Sequence, residues 1–119
     1  MKWYLAKLVY RIICGPGNHT AQFDEQLRLI CAEDELQAFN KAQLIGSKEQ
    51  DCFENSQQQA VHWKFINVTE LHTLEELSDG AEVYSRIYED PDGDNYQHTI
   101  QVKSRYLSER CTEQFIQSL

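Results

Sequence analysis

Proline and glycine are scarce in this chain of 119 residues, with two and five copies. So little backbone punctuation excludes long disordered or collagen-like stretches. Long apolar runs are missing as well. Lys7 and Arg11 interrupt the apolar stretch near the N-terminus, and nothing approaches the roughly 20 residues of a membrane span. Positive charge is in the minority, 11 Lys and Arg against 19 Asp and Glu, for a net charge of −8. Phosphate-backbone affinity needs clustered positive charge, so nucleic acid is not an expected partner, and neither is a membrane. The four cysteines, Cys14, Cys31, Cys52 and Cys111, show no paired CxxC spacing. If the first two strands form a hairpin, Cys14 and Cys31 lie at its opposite ends, beyond the ~7 Å limit for a disulfide. Free thiols and a cytoplasmic location are expected.

Chemical motifs are thin. His19, His62, His72 and His98 form neither HxxxH nor HExxH, and no glycine loop has a phosphate-cradling spacing. Asp90, Asp92 and Asp94 imitate the front of a calcium loop. Asn95 stands where such a loop needs glycine, and Gln101 where it needs the bidentate glutamate. An acidic turn whose side chains bond the local backbone is the better reading. No cofactor, metal site or catalytic residue is expected.

What the chain does have is a switch in hydrophobic period. Phe23, Leu27, Leu29 and Cys31 alternate with Asp24, Gln26, Arg28 and Ile30, at strand spacing. Leu36, Phe39, Ala42, Ile45 and Gly46 then recur at helical spacing. Before both, Tyr4, Ala6, Leu8, Tyr10 and Ile12 make one apolar face of a strand over about 3–13. This alternation favours a mature strand over a signal peptide. Gly15-Pro16-Gly17 punctuates a loop. A strand over about 23–31 follows. Asp34 then caps a helix running to about Glu49, with Gln37 completing a capping box. Ala38, Ala42 and Gly46 form a small-residue stripe that lets this helix lie close to a sheet.

Residues 50–59 read as a polar surface loop. Val61, Trp63 and Phe65 start a third strand over about 61–68. Thr73 and Glu76 suggest a capped helical turn at 74–77, and Asp79-Gly80 a turn. Ala81, Val83, Ser85 and Ile87 alternate with Glu82, Tyr84, Arg86 and Tyr88 in an expected fourth strand over 81–88. Segment 96–106 suits helix or strand. A helix is favoured because Asp94 or Asn95 can cap it, and Ser108 is a second helix start. The expectation is an α+β domain over 1–107, with 108–119 as a C-terminal tail or short helix. An antiparallel sheet of about four strands, in the order β-β-α-β-β-α, carries a long helix on one face.

A helix on one face leaves the other open. There the first strand offers Trp3, Leu5, Lys7, Val9 and Arg11, and the expected fourth strand Glu82, Tyr84, Arg86 and Tyr88. On that strand Arg86 is expected to pair with Glu82 or to meet an anion or a partner chain. Aromatic, apolar and arginine side chains together have the composition of an interface. The plain alternative is a solvated face on which long side chains lie over apolar neighbours. The candidate binding residues are therefore Trp3, Lys7, Arg11, Glu82, Tyr84, Arg86 and Tyr88. Three functions fit them. One is a non-enzymatic interaction or regulatory module, including a homodimer through the open face. The second is an acidic, immunity-type inhibitor of a basic protein partner. The third is a small-anion-binding protein or enzyme using that face.

Four strings carry a family resemblance: Trp3-Tyr4-Leu5-Ala6-Lys7-Leu8-Val9-Tyr10-Arg11, Phe23-Asp24-Glu25-Gln26-Leu27-Arg28-Leu29, Trp63-Lys64-Phe65-Ile66-Asn67-Val68 and Asp79-Gly80-Ala81-Glu82-Val83-Tyr84-Ser85-Arg86-Ile87. The chain resembles a bacterial family, domain of unknown function family 4288, from Trp3 to about Tyr106. The resemblance implies a small intracellular bacterial protein and brings no activity, cofactor or catalytic residue.

Overall fold

Alternating small and aromatic residues build the central strand. In the computed structural model, which describes residues 1–119, β1 spans Lys2–Cys14 and runs antiparallel to β2, Gln22–Ala32. Gly15 and Gly17 both adopt positive φ in the connecting loop, a conformation that favours glycine. Helix α1, Glu35–Lys48, follows. The expected cap forms, with the box displaced by one residue: the Gln37 N–H donates to Asp34 Oδ1 at 2.8 Å, while Gln37 Oε1 accepts at 2.6 Å from the N–H of Glu33, the residue before the cap. Strand β3, Asp51–Glu54, and the long β4, Ala60–Leu74, complete an antiparallel sheet in the order β2-β1-β4-β3. The last helix, α2, spans Gly93–Gln117. The order β-β-α-β-β-α is the expected one.

Four corrections concern where those strands lie. Residues 51–54, read as loop, are β3. All four are exposed, so no buried face imposed a period on them; backbone pairing with β4 defines the strand. The turn that returns the chain is organised by Asn55, whose Oδ1 accepts from the N–H groups of both Gln57 and Gln59. Residues 81–88 show the right alternation but form no strand. The segment enters no backbone ladder and meets the sheet through a side chain instead, the Tyr84 ring packing against His72. The third expected strand extends to Leu74, which removes the helical turn at 74–77. Register shifts in the β1–β4 pairing, between Lys7 and Leu8 and between Val9 and Tyr10, break the period that would have revealed the extension.

The core lies between the sheet and α1. Tyr4, Ala6, Leu8 and Tyr10 of β1 pack with Ile30 and Ala32 of β2 and with Ala38 and Ala42 of α1. The small-residue stripe does what its spacing implies. Ala38, Ala42 and Gly46 are the buried residues of the helix, whereas Leu36 is exposed. A methyl group on Gly46 would overlap the Phe65 ring. At this close approach the Tyr10 hydroxyl donates to the Gly46 carbonyl at 3.1 Å.

The chain divides into two compact units, Met1–Ser85 and Arg86–Leu119. The second consists of the lead-in to α2 and the helix itself. Asp92, not Asp94 or Asn95, is the cap, accepting from the Asn95 N–H at 3.1 Å, and the Asp92 N–H donates to Asp90 at 2.8 Å. The acidic turn thus spends its oxygens on local backbone. The helix is continuous through Ser108, and none of its residues is buried.

Candidate functional site

The uncovered side of the sheet is built from alternate residues of β1, β2 and β4. Leu5 stands opposite Leu29 and His72, and Lys7 opposite Leu27 and Glu70. The Lys7 ammonium meets Glu70 Oε2 at 2.7 Å, while His72 Nε2 lies 3.0 Å from Glu70 Oε1. Both carboxylate oxygens are therefore occupied. The side chains of Lys7 and Glu70 are 18% and 30% exposed, more sheltered than an ordinary surface pair. Hydrogen bonds from Lys7 and then His72 hold the Glu70 carboxyl below its ordinary 4.5. The same carboxylate raises Lys7 above 10.5, against the opposing effect of burial.

Residues 81–85 lie beside this cluster. The Tyr84 ring meets His72 edge-on at 5.3 Å, and Glu82 and Tyr84 line a groove with His72 and Glu75. Further along β1, the Arg11 guanidinium sits 5.6 Å from the centre of the Phe23 ring, a cation–π contact. Trp3 is half exposed at the other end, opposite Cys31.

The expected constellation is therefore only partly assembled. Lys7 and Tyr84 join one cluster, and Glu82 lines its rim. Arg11 and Trp3 share the face at its two ends. Arg86 and Tyr88 belong to the second unit, where the Arg86 guanidinium lies 5.7 Å over the Tyr88 ring. With no strand at 81–88, the expectation that Arg86 shares a strand face with Glu82 falls, and no ion pair forms at Arg86. Glu70 and His72 were missed because the third strand was expected to end at about residue 68; the two register shifts cancel in parity, so alternation carried on from Val61, Trp63 and Phe65 would have set both on the uncovered side.

A second arrangement was also missed, on the helix side of β2. The Gln26 side chain donates to Asp24 Oδ2 at 2.6 Å and accepts from Arg28 Nε and Nη2 at 3.1 and 2.8 Å. Trp63 Nε1 donates to Asp24 Oδ2 at 3.2 Å, and Arg28 Nη1 pairs with Glu49 at 2.8 Å. The polar residues of β2 thus point to the helix side. Its apolar ones point to the uncovered side, with Phe23, Leu27 and Leu29 exposed at 54%, 47% and 55%.

No group of three or more His, Cys, Asp or Glu side chains is placed to hold a metal ion. All four cysteines are free thiols. No helix is long and apolar enough to cross a membrane.

The family model for the domain of unknown function DUF4288 matches residues 3–85. The match covers the sheet, α1 and the segment beside His72, and it ends where the first compact unit ends. It stops short of the wider resemblance, which ran to about Tyr106. No curated protein and no solved structure matches the chain. The chain belongs to the DUF4288 family.

Proposed function

We propose that this chain is a small non-enzymatic interaction module of the bacterial cytoplasm, acting as a homodimer through the uncovered face of its sheet. One observation carries this reading. Trp3, Phe23, Leu27 and Leu29 remain exposed on one face, around a charged centre whose members neutralise each other. Apolar side chains gathered this way are more than the scattered exposure normal for a monomer, and an aromatic and arginine admixture suits a protein partner. The anion-binding alternative is weakened because Lys7 gives its ammonium to Glu70 and because the strand meant to present Arg86 does not form.

Light scattering on a sizing column tests the reading. The expected result is a mass rising towards twice that of the chain at tens to hundreds of micromolar. A strict monomer throughout would remove the homodimer. The net charge of −8 supports a second reading, an acidic inhibitor of a basic protein. In that case association with a basic partner weakens steeply with added salt, whereas an apolar self-contact does not.

A further inference from the structure

We infer that the second copy docks along the free edge of β2, joining two four-stranded sheets antiparallel about a two-fold axis at Gln26. This rests on the self-association proposed above but places the contact at the edge of the sheet, with the uncovered face contributing only the apolar pairs along that edge. β2 ends the sheet, spans 11 residues, pairs with β1 without a register shift, and contains neither proline nor glycine. Folded proteins usually shield such an edge, because its free backbone groups are a template for another strand. The opposite edge is shielded by brevity and irregularity: β3 has four residues bounded by Asp51 and Glu54, and beyond it the outer edge of β4 is interrupted by two register shifts and by Gln50 Oε1, which accepts from the Phe65 N–H at 3.0 Å. On β2 only the C-terminal end is occupied, by Lys41 Nζ, which donates to the Cys31 carbonyl at 2.9 Å.

Charge selects one register. Residues directly opposed across an antiparallel pair must lie on the same face, so a two-fold self-pairing of β2 must centre on a residue. Centring on Glu25 or on Arg28 sets like charges against each other. Centring on Leu27 puts Asp24 against Ile30 and requires Cys31, whose carbonyl Lys41 already holds. Centring on Gln26 puts Asp24 of each copy against Arg28 of the other, and Phe23 of each against Leu29 of the other. That pairing spans Gln22–Ile30 and leaves the Lys41–Cys31 bond intact.

The side chains are set for this contact. Both in-chain donors to Asp24 fall on Oδ2, which leaves Oδ1 for the second copy's Arg28. Gln26, at the axis, is bonded to both members of the pair and holds them in place. The exposed Phe23 and Leu29 supply the apolar cross-strand pairs on the uncovered face.

A charge exchange on the full chain tests the register. Arg28→Asp sets the introduced carboxylate of each copy against Asp24 of the other. Asp24→Arg sets the introduced guanidinium of each copy against Arg28 of the other. Each variant alone is expected to lose self-association by about tenfold or more. An equimolar mixture restores both opposite-charge pairs and should form the heterodimer. Cysteine trapping is the second measurement, and it does not depend on how those charge variants fold. Gln26→Cys should oxidise to an interchain 26–26 disulfide, identified by mass spectrometry of the linked peptide. Leu29→Cys should not link to itself, because the register sets its two copies about 20 Å apart. A dimer that gives neither the mixing rescue nor the 26–26 link overturns the edge contact and leaves the uncovered face as the dimer surface. A wild-type chain that stays monomeric overturns the self-association reading itself.

Discussion

β1 and β2 lie side by side in one unbroken register and use their two faces in opposite ways. β1 turns Tyr4, Ala6, Leu8 and Tyr10 to the helix and sends Trp3, Lys7 and Arg11 to the other side. β2 sends Asp24, Gln26 and Arg28 to the helix side and leaves Phe23, Leu27 and Leu29 in water. The difference follows from what covers each strand. Ala38, Ala42 and Gly46 bring α1 onto β1, so its facing residues are dry and must be apolar. Over most of β2 the helix side is only partly sheltered. A chain of hydrogen bonds from Trp63 through Asp24, Gln26 and Arg28 to Glu49 is tolerated there because every member has a partner. The outward leucines and phenylalanine of β2 contribute little to the fold, so their presence calls for another use.

The sharpest way to break this comparison is to delete matched apolar side chains from the two strands. Leu8 is fully buried on the helix side. Leu8→Ala should cost about 2–5 kcal/mol, from lost burial plus the cavity left behind. Leu27→Ala, on the exposed side of β2, should change stability by no more than about 1 kcal/mol. It should instead weaken self-association in light scattering. Equal losses in urea denaturation would mean that the uncovered face is part of the core.

Gly46→Ala probes how closely α1 sits on the sheet. Replacing a helical glycine by alanine ordinarily gains about 1 kcal/mol. Here the added methyl meets the Phe65 ring, which itself packs on Tyr10 with centroids 5.4 Å apart. Overpacking of this kind costs about 1–3 kcal/mol, so a net loss is expected. Phe65→Leu in the same chain should recover part of it. A stabilised Gly46→Ala variant would show that the helix can lift away from the sheet at little cost.

Tyr10→Phe removes one buried hydrogen bond from the same contact and should cost about 1 kcal/mol. It also carries a pH signature. Burial raises the Tyr10 hydroxyl above its ordinary 10.0. Its contribution to stability is therefore complete below that value and is lost as pH rises through the folded value. The phenylalanine variant should lack this part of the alkaline decline in thermal melts. An identical decline in both chains would assign it to other groups.

The same two strands show how far a sequence can be read. On β1 the alternation has one buried solution, and Tyr4 to Tyr10 occupy it. On α1 the stripe at 38, 42 and 46 was legible because only small side chains permit that approach. β2 reads clearly as a strand, but alternation cannot say which face is wet, and here the apolar one is. Alternation was also present at 81–88, where no backbone ladder forms, because period alone does not say whether a partner strand takes the segment up. It was absent at 51–54, where backbone pairing with β4 suffices. The Glu70–His72 pair was hidden because the two irregularities of β4 break the apolar period at 66–69 and end the legible strand there; they cancel beyond it, so the face itself resumes as alternation would have set it. Nor could charge composition indicate that Lys7 would be neutralised from a neighbouring strand.

The smallest expected effect tests whether the charged centre of the uncovered face matters to folding. Glu70 accepts from Lys7 and His72, and its carboxyl is held below the ordinary 4.5 by these partners. A lowered carboxyl contributes stability that is complete above the unfolded value and is lost as pH falls through the folded one. Glu70→Gln keeps the shape and removes the charge. The variant should be slightly less stable than the wild type near neutral pH, and the two should converge in acid, below the ordinary carboxyl value of 4.5, as Glu70 takes up its proton. Urea midpoints measured from acid to neutral pH would show the gap closing. A gap that persists unchanged in acid would mean that the carboxylate's charge is not what Lys7 and His72 stabilise. The cluster would then be packing, and the comparison of the two faces would rest on their apolar side chains alone.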